Sequence, residues 1–277
     1  MAYIIEIIVF AISIAMTIQF LAKWWKKLHN AWPKERMKTE QTVFFVLPLI
    51  SLCIIIITLL FLASYDVVDS LFYIMFYIYL GFTWVYFALG VMFYFFDISW
   101  ADDALNMDNE AALAAVAGGY IGTTVIYAGA NIGDGPGWWC VIFAGGMGLV
   151  CWVVIAYLVN LFTKVFERIS IGRDVPCGLR FGGFLLASGI ILGRASAGDW
   201  TSFGATIVEF RDGWPVVALA LIVIAVERYY MKMEKEQAAM RSSVIWACIY
   251  VLTAIACVTF LPPLPENPLY AAVFLLG

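Results

Sequence analysis

The sequence predicts an all-α polytopic membrane protein, a bundle of about eight transmembrane helices around a central tandem repeat of two-helix units. Three observations support this class. The chain is 64% hydrophobic and 13% charged, and that charged share is about half of what soluble domains carry. Apolar segments long enough to span a bilayer recur along the chain. Two of these segments share one glycine spacing.

A membrane-spanning helix needs about 20 mainly apolar residues. The seventh candidate is the weakest, because its uninterrupted apolar part runs only from Pro215 to Val226 and Glu209 and Arg211 precede it. We expect it to be short or to begin as an interfacial turn. The eight candidate segments lie at roughly 3–22, 43–63, 71–96, 110–131, 138–162, 175–193, 207–229 and 243–262.

The segments divide the chain into three parts. Residues 1–64 form an N-terminal two-helix module with a basic loop, 65–200 a central four-helix repeat domain, and 201–277 a C-terminal two-helix module. The first segment has no basic region before it and no small-residue cleavage site after it. We therefore expect a retained helix and not a removed signal peptide.

The positions of the basic residues predict the orientation of the chain. Short loops rich in Lys and Arg face the cytoplasm. If eight spans alternate, loops 23–42, 163–174 and 228–242 lie on one side and hold thirteen of the 16 Lys and Arg residues. The opposite loops, 64–70 and 132–137, contain acids and no base. We therefore expect the basic loops in the cytoplasm and both termini outside.

The first basic loop, KWWKKLHNAWPKERMK, interleaves tryptophans with bases, as segments at headgroup depth do. Each base near an anionic leaflet adds about 1 kcal/mol of attraction. The loop is either a positive-inside anchor or a docking surface for lipids or a cytosolic partner. The candidate docking residues are Lys23, Lys26, Lys27, Lys34, Arg36 and Lys38.

Two of the apolar segments, 110–131 and 175–193, carry glycines separated by four, seven and four residues. Each glycine of the second set lies 60 residues after its counterpart, which indicates a repeat. Glycines one turn apart let a neighbouring helix approach until the backbones touch. The predicted packing residues are Gly118, Gly122, Gly129 and Gly133 in the first segment, and Gly178, Gly182, Gly189 and Gly193 in the second.

Asn109 and Asp174 stand where the N-caps of these two helices are expected. They are 65 residues apart, so the caps and the glycines give registers that differ by more than a helical turn. We take the two segments as equivalent units without superposing them residue by residue. The acidic loop DISWADDALNMDNE before the first cap is interpreted as capping or as a cation-attracting mouth.

Polar side chains are concentrated in the fourth span. Thr124, Tyr127 and Asn131 follow i, i+3, i+7 and share a helix face. They either line a polar path or hydrogen-bond to a neighbouring helix, which typically contributes less than about 2 kcal/mol for each contact.

Arg180 is the most informative single residue, because a charge near the bilayer centre costs about 3 kcal/mol or more unless it is paired or reaches the interface. It follows Asp174 by six residues, which places it about 9 Å into the helix. We expect it to snorkel to the headgroups or to pair with an acid near Asp108 or Glu110. The alternative is a role in anion binding, lipid-headgroup binding or gating.

Catalytic constellations are sparse in the sequence. The only histidine, His29, lies in the first basic loop, so His-dependent nucleophilic catalysis and zinc-protease motifs are absent. The six cysteines show no C-x-x-C spacing, which favours packing over a disulfide framework or a metal site. We expect a protein that is not an enzyme, with no cofactor, no bound metal and no nucleic-acid partner.

One faint hydrolase pattern remains. Asp66 follows Tyr65 and Asp134 follows Gly133, a pattern similar to the paired aspartates of intramembrane aspartyl proteases, whose two carboxylates share a proton. The second motif reads NIGD and lacks the earlier glycine, and both acids fall in predicted outer loops. An intramembrane hydrolase is therefore a distant alternative.

The residues from the cap Asn109 to Ile190 resemble the YjfL-like family of bacterial inner-membrane proteins, a domain of unknown function. The matching stretches are NEAALAAVAGGYIG, WWCVIFAGGMGLV and ISIGRDVPCGLRFGGFLLASGI, and with the helix at 71–96 the resemblance covers about residues 71–200. Asp174 stands where the family has a second Asn, and Arg180 where the family is apolar. The resemblance implies repeated two-helix units in the bacterial inner membrane, often encoded beside phage-shock-protein-A-like remodelling proteins and ATP-grasp ligases.

These observations lead to two functional expectations. The first is a non-enzymatic scaffold or partner in membrane stress response or a larger membrane assembly, in contact with lipids, a cytosolic membrane-remodelling protein or further copies of itself. The second is an oligomeric ion channel or small-solute transporter, since parallel repeats are a recognised transporter device. Arg180, Thr124, Tyr127 and Asn131 are the candidate polar path or anion and lipid site.

Overall fold

The computed structural model describes residues 2–30, 39–232 and 239–261, and its elements in these ranges are helical. Seven helices are long and apolar enough to cross a membrane. The predicted all-helical class is confirmed, and the apolar helices indicate a multi-pass integral membrane protein. The seven are α1 (Ala2–Asn30), α2 (Thr39–Phe61), α4 (Leu71–Phe96), α5 (Glu110–Ala130), α6 (Trp138–Thr163), α8 (Val175–Ala195) and α11 (Ala239–Phe260).

Shorter helices connect the long ones. A π-helical segment at Trp100–Asn106 follows α4, and a 3-10 turn at Phe210–Gly213 precedes the last two helices. Ser99 caps the π-helical segment by accepting a hydrogen bond from the backbone N–H of Asp102. The remaining short helices are α3 (Tyr65–Val68), α7 (Val165–Ser170), α9 (Phe203–Glu209) and α10 (Pro215–Lys232).

The seventh predicted span, 207–229, is divided in the structure. It covers the end of α9, the 3-10 turn and most of α10. Helix α10 has 18 residues and carries Glu227, Arg228 and Lys232 near its end, so it is not among the seven helices that qualify as spans. A total of eight spans stays a prediction.

Helices α5 and α8 form the centre of the bundle. In their most apolar windows, 72% and 67% of the residues are buried, against 17% for α1 and α11. Three buried tryptophans tie neighbouring helices together by donating their indole N–H to backbone carbonyls. Trp24 donates to Phe44, Trp84 to Thr123, and Trp152 to Leu185.

Seven of the eight predicted glycines lie between α5 and α8. A Cβ added at Gly118 would come within 3.0 Å of the Gly182 carbonyl oxygen, and one at Gly129 would meet Gly193 equally closely. The residues of these two opposing pairs are 64 apart in sequence, which is close to the 65-residue spacing of the caps and differs from the 60-residue spacing of the glycines. The backbones touch because no side chain separates them. The other glycines at this contact are Gly122, Gly178 and Gly189.

Gly133 departs from the prediction. It follows the end of α5 and adopts a positive φ of 102° in loop 132–137, where its Cα faces the backbone of Gly198. The end of the bundle that carries this loop is predicted to face outward and is called the outer end below. The helix stops at Ala130 because Asn131 and the Gly-rich sequence after it leave helical geometry. Gly133 therefore shapes a turn and does not contribute to the α5–α8 contact.

The C-terminal end of α1 lies beside the segment that follows α4. The ammonium of Lys27, near the end of α1, lies 3.5 Å from the carboxylate of Asp102 in the segment after α4. The basic end of α1 and the acidic segment before α5 therefore lie on the same side of the bundle. Both carry exposed side chains, so the ion pair itself contributes little to stability.

Candidate functional site

The predicted intramembrane charge, Arg180, forms a buried ion pair with Glu227 of α10. Its Nε lies 2.5 Å and its Nη2 2.9 Å from the two carboxylate oxygens of Glu227. Its Nη1 donates to the hydroxyl of Ser243 in α11 at 2.5 Å. Arg180 is 1% exposed and Glu227 is fully buried. The pair therefore joins three helices through charge-assisted hydrogen bonds.

A second arginine completes the network. Arg168 of α7 donates to Glu227 at 2.7 Å and to Asp174, the N-cap residue of α8, at 2.8 Å. Two guanidinium groups thus face two carboxylates, and the group of four is electrically balanced. Such balance is what makes charges tolerable at a buried site.

These residues lie at the same depth in the bundle because each is close to the end of its helix. Arg180 lies in the second turn of α8, Glu227 near the end of α10 and Ser243 near the start of α11. All three ends lie at the predicted cytoplasmic side. An aromatic ring also covers the arginine, because the guanidinium carbon of Arg180 lies 4.2 Å from the ring centroid of Tyr230, a favourable cation–π distance.

The expected partners of Arg180 were wrong. The sequence prediction paired it with an acid near Asp108 or Glu110, at the start of the adjacent α5, or brought it to the headgroups. The structure pairs it with Glu227, because α10 packs against the other side of α8 and supplies a carboxylate at the same depth. The arginine is buried by protein and does not snorkel.

Glu227 is the functional residue that sequence reasoning missed. The signal for it was present, since an acid near the end of a predicted span stands out in the same way as Arg180 does. Glu227 lies inside the seventh predicted span, 207–229, directly before the basic loop that begins at Arg228, and no role is predicted for it from the sequence. A search for an acid to balance Arg180 among all candidate spans would have found it.

Two of the three predicted polar residues, Thr124 and Tyr127, bond to other helices. The hydroxyls of Thr124 and Ser51 of α2 lie 2.7 Å apart, and the hydroxyl of Tyr127 donates to the Tyr77 carbonyl of α4 at 2.6 Å. Asn131, directly after α5, donates to the carbonyl of Tyr127 in its own helix at 2.7 Å. All three are buried. Thr124 and Tyr127 therefore hold α2 and α4 against α5.

The structure does not bring these residues together with Arg180. Arg180 lies six residues after its N-cap and Asn131 lies 22 residues after the matching cap of α5. The difference of 16 residues corresponds to about 24 Å along the helix axis. Thr124, Tyr127 and Asn131 belong to the middle and outer part of the bundle, and Arg180 to its opposite end.

Both predicted caps occupy N-cap positions. The side-chain oxygen of Asn109 accepts from the backbone N–H groups of Ala111 and Ala112. Its side-chain nitrogen also donates to the Ile169 carbonyl of α7 at 2.9 Å. Asp174 accepts from the N–H of Cys177 and from Arg168. Asn109 and Asp174 thus cap the starts of α5 and α8 and also connect both helix starts to α7.

Two small cavities open at the end of the bundle that is predicted to be outer. One, of about 50 Å³, is lined by Asn131, Gly133, Ser196 and Trp200 among others. The other, of about 260 Å³, is lined by Glu6, Asp66 and Asp134 with tyrosines around them. Both are large enough for water. The two aspartates of the faint hydrolase pattern therefore lie at the same outer cavity.

The carboxyl of Asp134 is perturbed by its surroundings. Partial burial, followed by the negative charges of Asp199 and Asp66, raises the pKa of Asp134 above its ordinary value, while the backbone N–H of Tyr65 opposes the shift. Asp199 in turn accepts from the backbone N–H of Asp134 at 2.7 Å. The outer face is thus acidic, in contrast to the basic end of α1.

The basic docking residues fall partly outside the described ranges. Lys34, Arg36 and Lys38 lie in 31–38 and outside the part of the chain that the structure describes. Lys23, Lys26 and Lys27 lie on the last turns of α1 with exposed side chains. Trp24, between them, is fully buried and stacks on Trp100 at 4.2 Å. The end of α1 is therefore anchored to the bundle while its lysines face outward.

Comparisons of the chain with models of protein families, with curated proteins and with solved structures give no match. The function of these residues is therefore inferred from their geometry.

Proposed function

We propose that the protein is a non-enzymatic scaffold of the bacterial inner membrane that presents a basic cytoplasmic surface to a partner. One observation carries the proposal. The polar and charged residues that stood out at membrane depth, Arg180, Thr124 and Tyr127, are each used to join helices. A bundle tied together in this way is suited to holding a fixed surface.

The surface that would meet the partner lies at the end of α1. Lys23, Lys26 and Lys27 are exposed there, and the Trp24–Trp100 stack fixes the helix end that carries them. The resemblance of residues 71–200 to the YjfL-like family favours a membrane-remodelling partner at this surface. It also favours the bacterial inner membrane and the tandem two-helix repeat as the central unit, while the positions of the basic loops favour both termini outside.

The proposal is tested by crosslinking in intact cells followed by purification in mild detergent. The triple variant Lys23→Gln, Lys26→Gln, Lys27→Gln removes the positive surface. The matched control Arg173→Gln, Lys232→Gln, Arg241→Gln removes the same charge from exposed positions on the same predicted side. We expect a crosslinked partner in wild type and control and its loss in the first variant. Equal recovery of every crosslinked protein from both variants contradicts the proposal.

The rival function is an oligomeric channel or small-solute transporter. The observation that favours it is the outer cavity that reaches Asn131, beside a second cavity lined by Glu6, Asp66 and Asp134. An acidic, water-sized recess at the outer ends of spans would attract cations. The presence of two aspartates at one cavity is also consistent with the distant hydrolase alternative, which requires paired carboxylates.

A further inference from the structure

An open apolar groove runs along α4. It has a volume of about 700 Å³ and lies between α1, α4 and α6, with Met16, Thr83, Phe87, Gly90, Tyr94 and Ile142 among its lining residues. Phe87 is 61% and Tyr94 82% exposed. Gly90 leaves an opening, because a Cβ placed there would meet no atom within 4 Å.

The groove has a cationic edge. Tyr86 lines the groove, and the ammonium of Lys23 donates to its hydroxyl at 3.1 Å. The same ammonium lies 5.7 Å from the centroid of the Tyr86 ring. Lys23 is exposed, so its charge remains available to a further ligand. The apolar groove thus passes beside a positive charge and a phenol hydroxyl.

The groove is long enough for one acyl chain. On α4 its lining residues run from Leu80 to Phe95, which is fifteen residues of helix or about 22 Å. The hydrocarbon core of a bilayer is about 30 Å thick, so the acyl chains of one leaflet extend over about half of that. The groove therefore has room for the length of one acyl chain.

We propose that this groove binds one anionic glycerophospholipid of the adjoining leaflet. One acyl chain lies along Thr83, Phe87 and Gly90, and the phosphate contacts the ammonium of Lys23 and the hydroxyl of Tyr86. The pairing of a positive charge with an apolar groove favours a lipid over an uncharged partner helix. This inference goes beyond the scaffold function and requires only that the chain resides in a bilayer.

Native mass spectrometry of the purified full chain tests the proposal. The protein is released from nanodiscs that contain equal amounts of phosphatidylglycerol and phosphatidylcholine, and retained lipid is counted. Gly90→Leu fills the groove where space exists. Gly146→Leu is its control, since Gly146 is equally open but does not line the groove. Lys23→Gln removes the charge, and Lys232→Gln, at an exposed position at the end of α10, is its control.

We expect one phosphatidylglycerol on wild type and on both controls. Lys23→Gln should weaken its retention about fivefold, the effect of one base near an anionic lipid, and Gly90→Leu should remove most of it. Equal retention of phosphatidylcholine, or phosphatidylglycerol retained unchanged in both Lys23→Gln and Gly90→Leu, overturns the proposal. A dimer that Gly90→Leu abolishes, with no bound lipid in wild type, also overturns it. Because Lys23 is exposed, its variant tests the proposal even if Gly90→Leu fails to fold.

Discussion

Arg180 of α8 and Glu227 of α10 form a bidentate ion pair inside the bundle, with the arginine Nε and Nη2 each facing one carboxylate oxygen. Both side chains are buried. Because the same carboxylate also accepts from Arg168, one acid holds two arginines from different elements. The C-terminal helices are thereby connected to the central pair through Glu227.

Glu227→Gln should destabilise the protein strongly. The substitution leaves the buried guanidinium of Arg180 and the partly exposed one of Arg168 with the single carboxylate of Asp174. Removal of one partner of a buried pair costs about 3–5 kcal/mol, which corresponds to a Tm lowered by roughly 10 °C. Thermal unfolding in detergent measures the shift. Glu167→Gln, at an exposed position of α7, should leave Tm nearly unchanged, and equal shifts for both variants would contradict the account.

The pairing itself is tested by a double variant. In Arg180→Met with Glu227→Met, both charges are replaced by apolar side chains, and Arg168 keeps its contact with Asp174. Buried pairs replaced in this way often lose little stability. We expect the double variant to be more stable than Glu227→Gln alone, which is the sign of direct coupling. Additive losses would show that the two residues act independently.

Gly129→Ala should weaken the contact of the two central helices. An added Cβ would lie within 3.0 Å of the Gly193 carbonyl oxygen, so the backbones must separate. Overpacking of this kind typically costs about 1–3 kcal/mol. Gly146→Ala on α6 is the control, because nothing lies within 4 Å of its Cβ. Thermal unfolding of the two variants side by side should show a loss only for Gly129→Ala.

The variant Tyr127→Phe tests whether the Tyr127 hydroxyl stabilises helix packing or only lines a polar path. The hydroxyl of Tyr127 donates to the Tyr77 carbonyl, and its removal should cost about 0.5–1.5 kcal/mol. The exposed Tyr65 provides the control Tyr65→Phe, which should be neutral. Chemical unfolding in mixed micelles gives both values. A Tyr127→Phe protein as stable as wild type would contradict a structural role for this hydroxyl.

The outer face should show a pH-dependent stability that centres on Asp134. Its pKa is raised above 3.8 by burial and by the charges of Asp199 and Asp66. The folded state then binds the proton more tightly than the unfolded state, so this contribution is present below the ordinary pKa and is lost as pH rises through the folded one. Asp134→Asn should raise Tm relative to wild type near neutral pH.

That gain should shrink as the pH falls into the acidic range, because the wild-type carboxyl becomes protonated there. Differential scanning fluorimetry across this range measures the difference. Asp69→Asn, at an exposed position of the same outer region, should show no comparable trend. A gain for Asp134→Asn that is largest at low pH would have the wrong sign and would contradict the account.

The class of fold could be predicted from composition, because a chain this apolar has few ways to satisfy its backbone in lipid. The glycine faces could also be predicted, since a missing side chain has the same effect wherever the neighbouring helix lies. Which glycines oppose one another could not be predicted. Gly118 faces Gly182 and not Gly178, because the axial offset between α8 and α5 is set by their packing and not by the repeat.

The partner of Arg180 depends on the tertiary structure and could not be predicted from the sequence. A depth of about 9 Å follows from counting residues, but the identity of the neighbouring helix depends on how α10 folds back. The sequence does predict this helix, as most of the seventh span, although Glu227, Arg228 and Lys232 keep α10 from qualifying as a span in the structure. Its acid is understood only once Arg180 is seen beside it.

The scaffold proposal is tested most directly by flux through the purified protein in liposomes. Fluxes of K⁺, Cl⁻ and H⁺ are measured for wild type, Asn131→Leu and Arg180→Leu against protein-free vesicles, with circular dichroism to verify folding. If the buried polar residues serve to join helices, all three proteins should match the empty vesicles. Wild-type flux well above that level, lost in a folded Asn131→Leu protein, would contradict the scaffold and establish a permeation path through the outer cavity.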